Sequence, residues 1–312
     1  MRTNEPSALQ ANTSLHLRIN LHETEARRAA SNLPMIRDTL FNKDRSAQQD
    51  GRPLVMAHRG GAGLWPENTI YAFERAVTMK VDVLEMDMRA TADNQLVIIH
   101  DSTVDRTTDG SGPVSALTLE ELKRLDAGYR WSPDGGRSFP MRGRGLTIPT
   151  LSEILTAFRS VRLNIDIKQE RPSIVQPFCR IIREHKAEMN VMVASFNQAV
   201  LDEFRAECAG VATSGSVMDI RSFLALKTER GEVETGRNIR ALQVPEYLGG
   251  RLLVTSGFIY EAHKHGLEVH AWTINDETSM KRLIELKVDG IITDFPNRLL
   301  RLLGNAGFTN PS

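Results

Sequence analysis

The sequence predicts an α/β protein built as one (β/α)8 barrel with a small insertion after its second strand. Three observations carry this expectation. From Pro53 onward, short runs rich in Val, Ile, Leu and Met alternate with longer amphipathic stretches, the pattern of parallel βαβ units around a buried sheet. Eight of these strand-like runs are spread over a length close to the roughly 250 residues typical of such a barrel. The composition, 41% hydrophobic and 25% charged, is that of an ordinary globular chain.

Residues 1–52 hold few large apolar side chains at regular spacing. They read as an N-terminal extension, helical near Glu23–Asn32, with a polar linker from Asn42 to Arg52. Residues 53–302 form the barrel and 303–312 a C-terminal tail. The strand-like runs are Leu54–Ala57, Val83–Met88, Leu163–Ile167, Val191–Phe196, Val211–Thr213, Ile239–Val244, Leu267–Trp272 and Gly290–Thr293. Helix-like runs include Thr69–Met79, Leu151–Phe158, Ser173–His185, Gln198–Glu207, Gly257–His265 and Thr278–Leu286.

One further apolar run, Leu96–His100, follows the second strand after only Ala92-Asp93-Asn94-Gln95. A parallel crossover needs about ten residues or more, so this run must turn back as an antiparallel hairpin. If the turn centres between Asp93 and Asn94, paired positions sum to 187 and Asp87 faces His100. Residues 102–148 are rich in Gly, Pro, Ser, Asp and Arg, with one helix-like piece at Leu119–Leu125. They read as an insertion on the barrel rim, where Asp101, Asp105 and Arg106 cap and pin the chain.

Charge is balanced, 39 Lys+Arg against 39 Asp+Glu, which excludes a nucleic-acid binder held by a global basic excess. No apolar run approaches the roughly 18 residues of a membrane span. The N-terminus lacks the apolar stretch of a secretory leader, so a cytoplasmic protein is expected. Cys179 and Cys208 lie on helix-like segments outside any C-x-x-C motif and are expected to be two separate reduced thiols.

Barrel enzymes carry their catalytic groups at the C-terminal ends of strands. Here those ends read His58-Arg59-Gly60, Glu85-Met86-Asp87, His100-Asp101, Asp166-Ile167-Lys168, Trp272-Thr273 and Thr293-Asp294. Glu85 and Asp87 stand two apart and so share one strand face. Together with Asp166 they would crowd three carboxylates into one cavity, which calls for positive charge. Oxygen donors of this kind suit Mg²⁺ or Ca²⁺ better than zinc. His58 and His100 supply acid and base near neutral pH, and Arg59 and Lys168 are suited to a phosphate. The set as a whole fits phosphodiester cleavage.

These residues occur in order with Pro66-Glu67-Asn68-Thr69, Thr91-x-Asp93 and Asp105-Arg106-Thr107. On that series the sequence closely resembles the glycerophosphodiester phosphodiesterases over residues 53–302. The resemblance implies a (β/α)8 barrel that hydrolyses glycerophosphodiesters to sn-glycerol 3-phosphate and an alcohol with a divalent metal. It implies His58 and His100 as the acid–base pair, and Glu85, Asp87 and Asp166 as metal ligands. Arg59 and Lys168 fall at phosphate-contacting positions, Trp272 at an aromatic lining the cleft, and Glu67 at a position that orients Arg59 or His58. Asp166 departs from the Glu found in many members and is one methylene shorter.

Two other readings compete with this one. A lysophospholipase D-like activity would require an apolar groove, for which Trp65, Trp131, Phe139 and Met141 are the candidates. A catalytically silent barrel would act as a binding protein. The remaining polar candidates take structural assignments. Asp294, followed by Pro296, ends the last strand and caps the next helix. His263, His265 and His270 occupy surface helix and strand positions, and Arg137–Arg144 forms a solvated rim loop.

Overall fold

The computed structural model describes residues 51–226 and 238–304; the helix expected near Glu23–Asn32 and residues 305–312 of the expected tail lie outside them. The strands are β1 (Leu54–Ala57), β2 (Val83–Ala90), β3 (Leu96–Ile98), β4 (Arg162–Ile167), β5 (Val191–Ala194), β6 (Ala212–Ser214), β7 (Ile239–Pro245), β8 (Tyr247–Leu248), β9 (Arg251–Leu252), β10 (Glu268–Trp272) and β11 (Gly290–Thr293). The helices are α1 (Ile70–Thr78), α2 (Leu119–Leu122), α3 (Leu151–Ala157), α4 (Val175–His185), α5 (Gln198–Glu207), α6 (Val217–Leu226), α7 (Ser256–Lys264), α8 (Glu277–Glu285) and α9 (Pro296–Leu302). Helix α6 adds to those expected from the sequence, and α9 is the helix expected after the last strand, although Phe295 rather than Asp294 stands at its N-cap.

Strands β1, β11, β10, β7, β6, β5, β4 and β2 pair in that order, all in parallel, and β2 pairs back with β1. The sheet therefore closes into an eight-stranded barrel, as its alternation of short apolar strands and amphipathic helices dictates. Leu54, Met56, Val83, Met192, Ala212, Ala241 and Ile292 fill its interior. A larger apolar layer, including Phe73, Phe178, Phe204 and Phe258, packs between strands and helices. Helix starts follow capping chemistry: Thr69, Asn197, Thr255 and Asp276 accept backbone N–H groups, and Thr150 with Glu153 forms a capping box ahead of α3.

The β2–β3 hairpin differs from the expected register. Met88 faces Ile98 and Ala90 faces Leu96, so paired positions sum to 186 rather than 187. The cause is a three-residue loop, Ala92–Asn94, closed by the Thr91 N–H on the Gln95 carbonyl at 3.0 Å. Asn94 takes a left-handed φ of 58° within it. Ile99 thus sits opposite Asp87, donating its N–H at 2.9 Å. His100 leaves the strand altogether and swings over the barrel mouth.

The insertion after β3 encloses a small apolar cluster of its own, with Val97, Ile99, Val104, Val114, Leu122, Ala127 and Ile148. The two cysteines are not separate thiols: Cys179 of α4 and Cys208 after α5 form a disulfide with a Cα–Cα distance of 5.8 Å. Consecutive βα units set their helices side by side. A sequence separation of 29 residues gives no hint of that proximity.

Candidate active site

The C-terminal mouth of the barrel opens into a cavity of about 390 Å³ lined by His58, Arg59, Glu85, His100, Asp166 and Lys168, among others. Its first residues come from a tight turn after β1. Arg59 adopts φ 52° and Gly60 φ 83°, a left-handed pair that folds the chain back on itself. A side chain at position 60 would come within 2.9 Å of Ala72 Cβ, so glycine is needed there for the turn to lie against α1.

Strands β2 and β4 supply the carboxylates in register. Glu85 lies beside Asn164, and Asp87 beside Asp166. The two aspartates at one level are neutralised from both flanks. Lys168 Nζ stands 2.6 Å from Asp166 Oδ2 and 3.2 Å from Asp87 Oδ1, while Arg59 Nε is 3.1 Å from Asp87 Oδ2. Glu85 accepts the Arg59 backbone N–H at 2.9 Å.

Glu67 accepts from Arg59 Nη1 at 2.9 Å and from both terminal nitrogens of Arg106 at 2.7 Å. Arg106 Nε in turn donates to Asp101 Oδ2 at 2.6 Å, and Asp101 Oδ1 lies 2.6 Å from His100 Nδ1. An alternating chain of charges thus links Asp87, Arg59, Glu67, Arg106, Asp101 and His100. It ties the insertion to the barrel and fixes the His100 ring.

His58 is held in a similar way by a residue that sequence reasoning left outside the site. Asp294 Oδ1 is 2.6 Å from His58 Nδ1, and Asp294 Oδ2 accepts from Asn275 at 2.6 Å. The available signal was topological. Asp294 follows β11, and in a closed barrel β11 neighbours β1. Both histidines therefore offer Nε2 to the cavity while a carboxylate holds Nδ1.

Electrostatics follow from these contacts. Burial, then the charge of Asp87, pushes the Glu85 carboxyl up to about 7. Burial likewise raises Asp166. Burial would raise Asp87 too, but Lys168 and Arg59 outweigh it and hold Asp87 below its ordinary range. The Arg106 hydrogen bond carries Asp101 down to about 2. For His58, burial is overcome by Glu85 and the Asp294 hydrogen bond, and the ring stays protonated to higher pH.

A test of cation fit gives two observations. Among the described residues, no three His, Cys, Asp or Glu side chains converge closely enough to enclose a metal ion as they stand; Lys168 bridges the aspartates instead. Yet Asp166 Oδ1 is buried without a hydrogen-bond donor, and burial beside Asp87 leaves the Glu85 carboxyl raised. Three oxygen-donor carboxylates at one barrel mouth, with Glu85 paired to no Lys or Arg side chain among the described residues, form a donor set of the type that suits a hard divalent cation.

The opposite wall is apolar. Phe196, Val217, Ile220, Leu224, Leu248, Leu253 and Trp272 line it, with the charged Arg221 among them, drawn from the segment after β5, from α6, from the β8–β9 hairpin and from the end of β10. Trp272 meets Phe196 edge to face at 5.7 Å, and Lys168 lies 5.3 Å from the Phe196 ring centre. This wall replaces the groove expected from Trp65, Trp131, Phe139 and Met141, none of which lines the cavity. Trp65 is core, and Phe139 is stacked under Arg142 at 3.6 Å within the insertion. His270, expected at the surface, is fully buried, because its strand position points into the barrel.

The model of the glycerophosphoryl diester phosphodiesterase family matches residues 58–298. This chain belongs to that family. A glycerophosphodiester phosphodiesterase of Caldanaerobacter subterraneus is 34% identical over 82% of this chain and 100% of its own length. A lysophospholipase D of Mus musculus is 27% identical over 80% of this chain and 86% of its own. Among solved structures, an Oleispira antarctica phosphodiesterase in complex with its product sn-glycerol-3-phosphate superposes with TM-score 0.66 at 25% identity. That match covers 81% of this chain and 97% of the other. Among the described residues, no helix is long and apolar enough to cross a membrane.

Proposed function

We propose that the protein hydrolyses glycerophosphodiesters to sn-glycerol 3-phosphate and an alcohol, using His58 and His100 as acid and base together with one divalent cation, Mg²⁺ or Ca²⁺. The observation that carries this reading is the matched pair of histidines in one cavity, each with Nδ1 held 2.6 Å from a carboxylate. Arg59 and Lys168, paired with the buried aspartates, line the same cavity and are suited to pair with phosphoryl oxygens.

One imidazole takes a proton from the attacking group, a water or the glycerol 2-hydroxyl, as its oxygen bonds to phosphorus. The other donates a proton to the departing alkoxide as the phosphorus–oxygen bond breaks. Attack by the 2-hydroxyl gives a cyclic phosphate that a water then opens to sn-glycerol 3-phosphate. Asp294 and Asp101 keep both rings oriented through the exchange and stabilise each while it carries the extra proton. Trp272 and Phe196 shield the reacting centre on the apolar side. Glu85, Asp87 and Asp166 would hold the cation, whose contribution when bound is Lewis-acid stabilisation of charge on the phosphoryl oxygens.

The apolar wall supports a second reading, in which the departing alcohol carries a hydrocarbon chain, as in a lysolipid. Purified protein assayed on glycerophosphocholine, glycerophosphoethanolamine and lysophosphatidylcholine, with Mg²⁺, Ca²⁺ or chelator, tests both. Cation-dependent release of choline or ethanolamine from the soluble diesters is expected. Activity that survives full chelation removes the cation from the proposal, and turnover restricted to the lysolipid overturns the first reading in favour of the second.

A further inference from the structure

Beneath the carboxylates, the barrel interior carries a polar chain that the hydrolysis as described leaves unused. Glu268 opens β10 at the barrel end opposite the cavity. Two residues on, His270 is fully buried, with Nε2 2.9 Å from Glu268 Oε2. Its other nitrogen, Nδ1, lies 3.3 Å from Gln243 Nε2, and that same amide nitrogen is 2.8 Å from Asn164 Oδ1. Gln243 pairs with His270 across β7 and β10, and Asn164 pairs with Glu85 across β4 and β2. Gln243 and Asn164 both line the cavity.

The direction of every bond in this chain follows from its first member. An ionised carboxylate can only accept, so the His270 proton sits on Nε2 and leaves Nδ1 as an acceptor. An acceptor there requires the amino side of Gln243 to face it. The second proton of that amino group then goes to the Asn164 carbonyl. What remains is Gln243 Oε1, an acceptor, and Asn164 Nδ2, a donor; among the described residues neither has a hydrogen-bond partner, and neither is a sealed, orphaned atom. Glu268, at the far mouth, thereby sets the polarity of the cavity floor.

A fixed donor and a fixed acceptor on two hydrogen-bonded side chains match two hydroxyl groups, one accepting and one donating. Resting on the glycerophosphodiester reading, we propose that Gln243 and Asn164 form a diol subsite for the glycerol moiety, with His270 and Glu268 as positioning residues that lock the Gln243 amide. A buried floor of this kind discriminates against ligands without hydroxyls, because its polar groups would otherwise lose their water unpaired.

Calorimetric titration with sn-glycerol 3-phosphate and with methyl phosphate, in buffer holding Mg²⁺ and Ca²⁺, tests the subsite without turnover. The wild type is expected to prefer the diol ligand by about tenfold, the worth of roughly one good hydrogen bond. Gln243→Leu should bring the two affinities together by weakening the diol ligand only. Glu268→Gln, remote from the cavity, should reduce the preference by about threefold while thermal melting shows an intact fold. Equal affinities in the wild type, a preference that survives in Gln243→Leu, or an equal loss for both ligands overturns the subsite. Absence of glycerophosphocholine turnover alongside an intact diol preference overturns the hydrolysis reading and leaves the subsite standing.

Discussion

On one side of the cavity, the ends of β1, β2 and β4 present His58, Arg59, Glu85, Asp166 and Lys168, with Asp87 buried behind them. On the other, α6 and the β8–β9 hairpin present Val217, Ile220, Leu224, Leu248 and Leu253. The two sides are held by different forces. The charged side is locked by sheet register and by ion pairs of 2.6–3.2 Å, most of them buried, where a lost partner leaves an uncompensated charge. The apolar side ends in exposed residues, Phe196 at 55% and Leu248 at 53%, whose burial awaits a ligand. If the charged side cleaves and the apolar side meets the departing alcohol, bond cleavage and alcohol selectivity are separable, and each can be perturbed alone.

The largest expected effect lies on the charged side. His58→Ala or His100→Ala should lower kcat by about 10³-fold on every diester, since positioned acid–base groups contribute about 10²–10⁴. Steady-state rates on a soluble diester and on a lysolipid, both reduced alike, would support a shared chemical centre; a loss on one substrate only would break the comparison. Asp294→Asn should cost about 10²-fold in kcat with little change in KM, because it frees the His58 tautomer rather than removing a substrate contact. Asp101→Asn should cost less, as Asp101 is more exposed than Asp294 and shares its load with Arg106.

Charge strain on the same side has a pH signature. The Glu85 carboxyl holds its proton to about pH 7 in the fold, against an ordinary value of 4.5. The folded state therefore binds more protons between these limits, and stability falls as pH rises from 4.5 to 7. Burial and repulsion set the scale at on the order of 3 kcal/mol. Urea unfolding in chelator at pH 5 and pH 8 should show this loss in the wild type and not in Glu85→Gln. Adding Mg²⁺ or Ca²⁺ should restore more stability at pH 8 than at pH 5, because the cation competes with the proton. Parallel curves for the two proteins would mean that the carboxylates carry no such strain.

How much of this was legible in the sequence depended on whether a residue's neighbour is fixed by local periodicity. The eight barrel strands follow from short apolar runs set between amphipathic stretches, and the carboxylates Glu85, Asp87 and Asp166 from the rule that strand ends face the site. The partner of His100 is the next residue, Asp101. The partner of His58 is Asp294, 236 positions away; it becomes visible only when barrel closure sets β11 beside β1. The Cys179–Cys208 disulfide joins the helices of consecutive βα units, a proximity that its separation of 29 residues does not show. The buried His270 chain reaches Asn164 across the barrel, a contact that only closure creates. A single left-handed residue, Asn94, moved the hairpin register by one. The apolar wall was misplaced because α6 and the β8–β9 hairpin carry no polar motif, whereas the aromatic residues of the insertion are conspicuous in the sequence and bury themselves elsewhere.

That misplacement leads to the smallest and most selective prediction. Leu248 stands on a two-stranded hairpin that joins the barrel sheet through no strand pairing, and it is half exposed, so truncating it removes little from the folded core. A hydrocarbon chain lying along α6 would bury that side chain. Losing the contact costs about 1 kcal/mol, the worth of one or two methylene groups. Leu248→Ala should therefore lower the ratio of kcat/KM for lysophosphatidylcholine over glycerophosphocholine by about fivefold, with the change carried by the lysolipid. An unchanged ratio would mean that this wall does not meet the departing alcohol. If instead both substrates weaken together, the hairpin shapes the reacting centre itself, and the division between a wall that cleaves and a wall that selects does not hold.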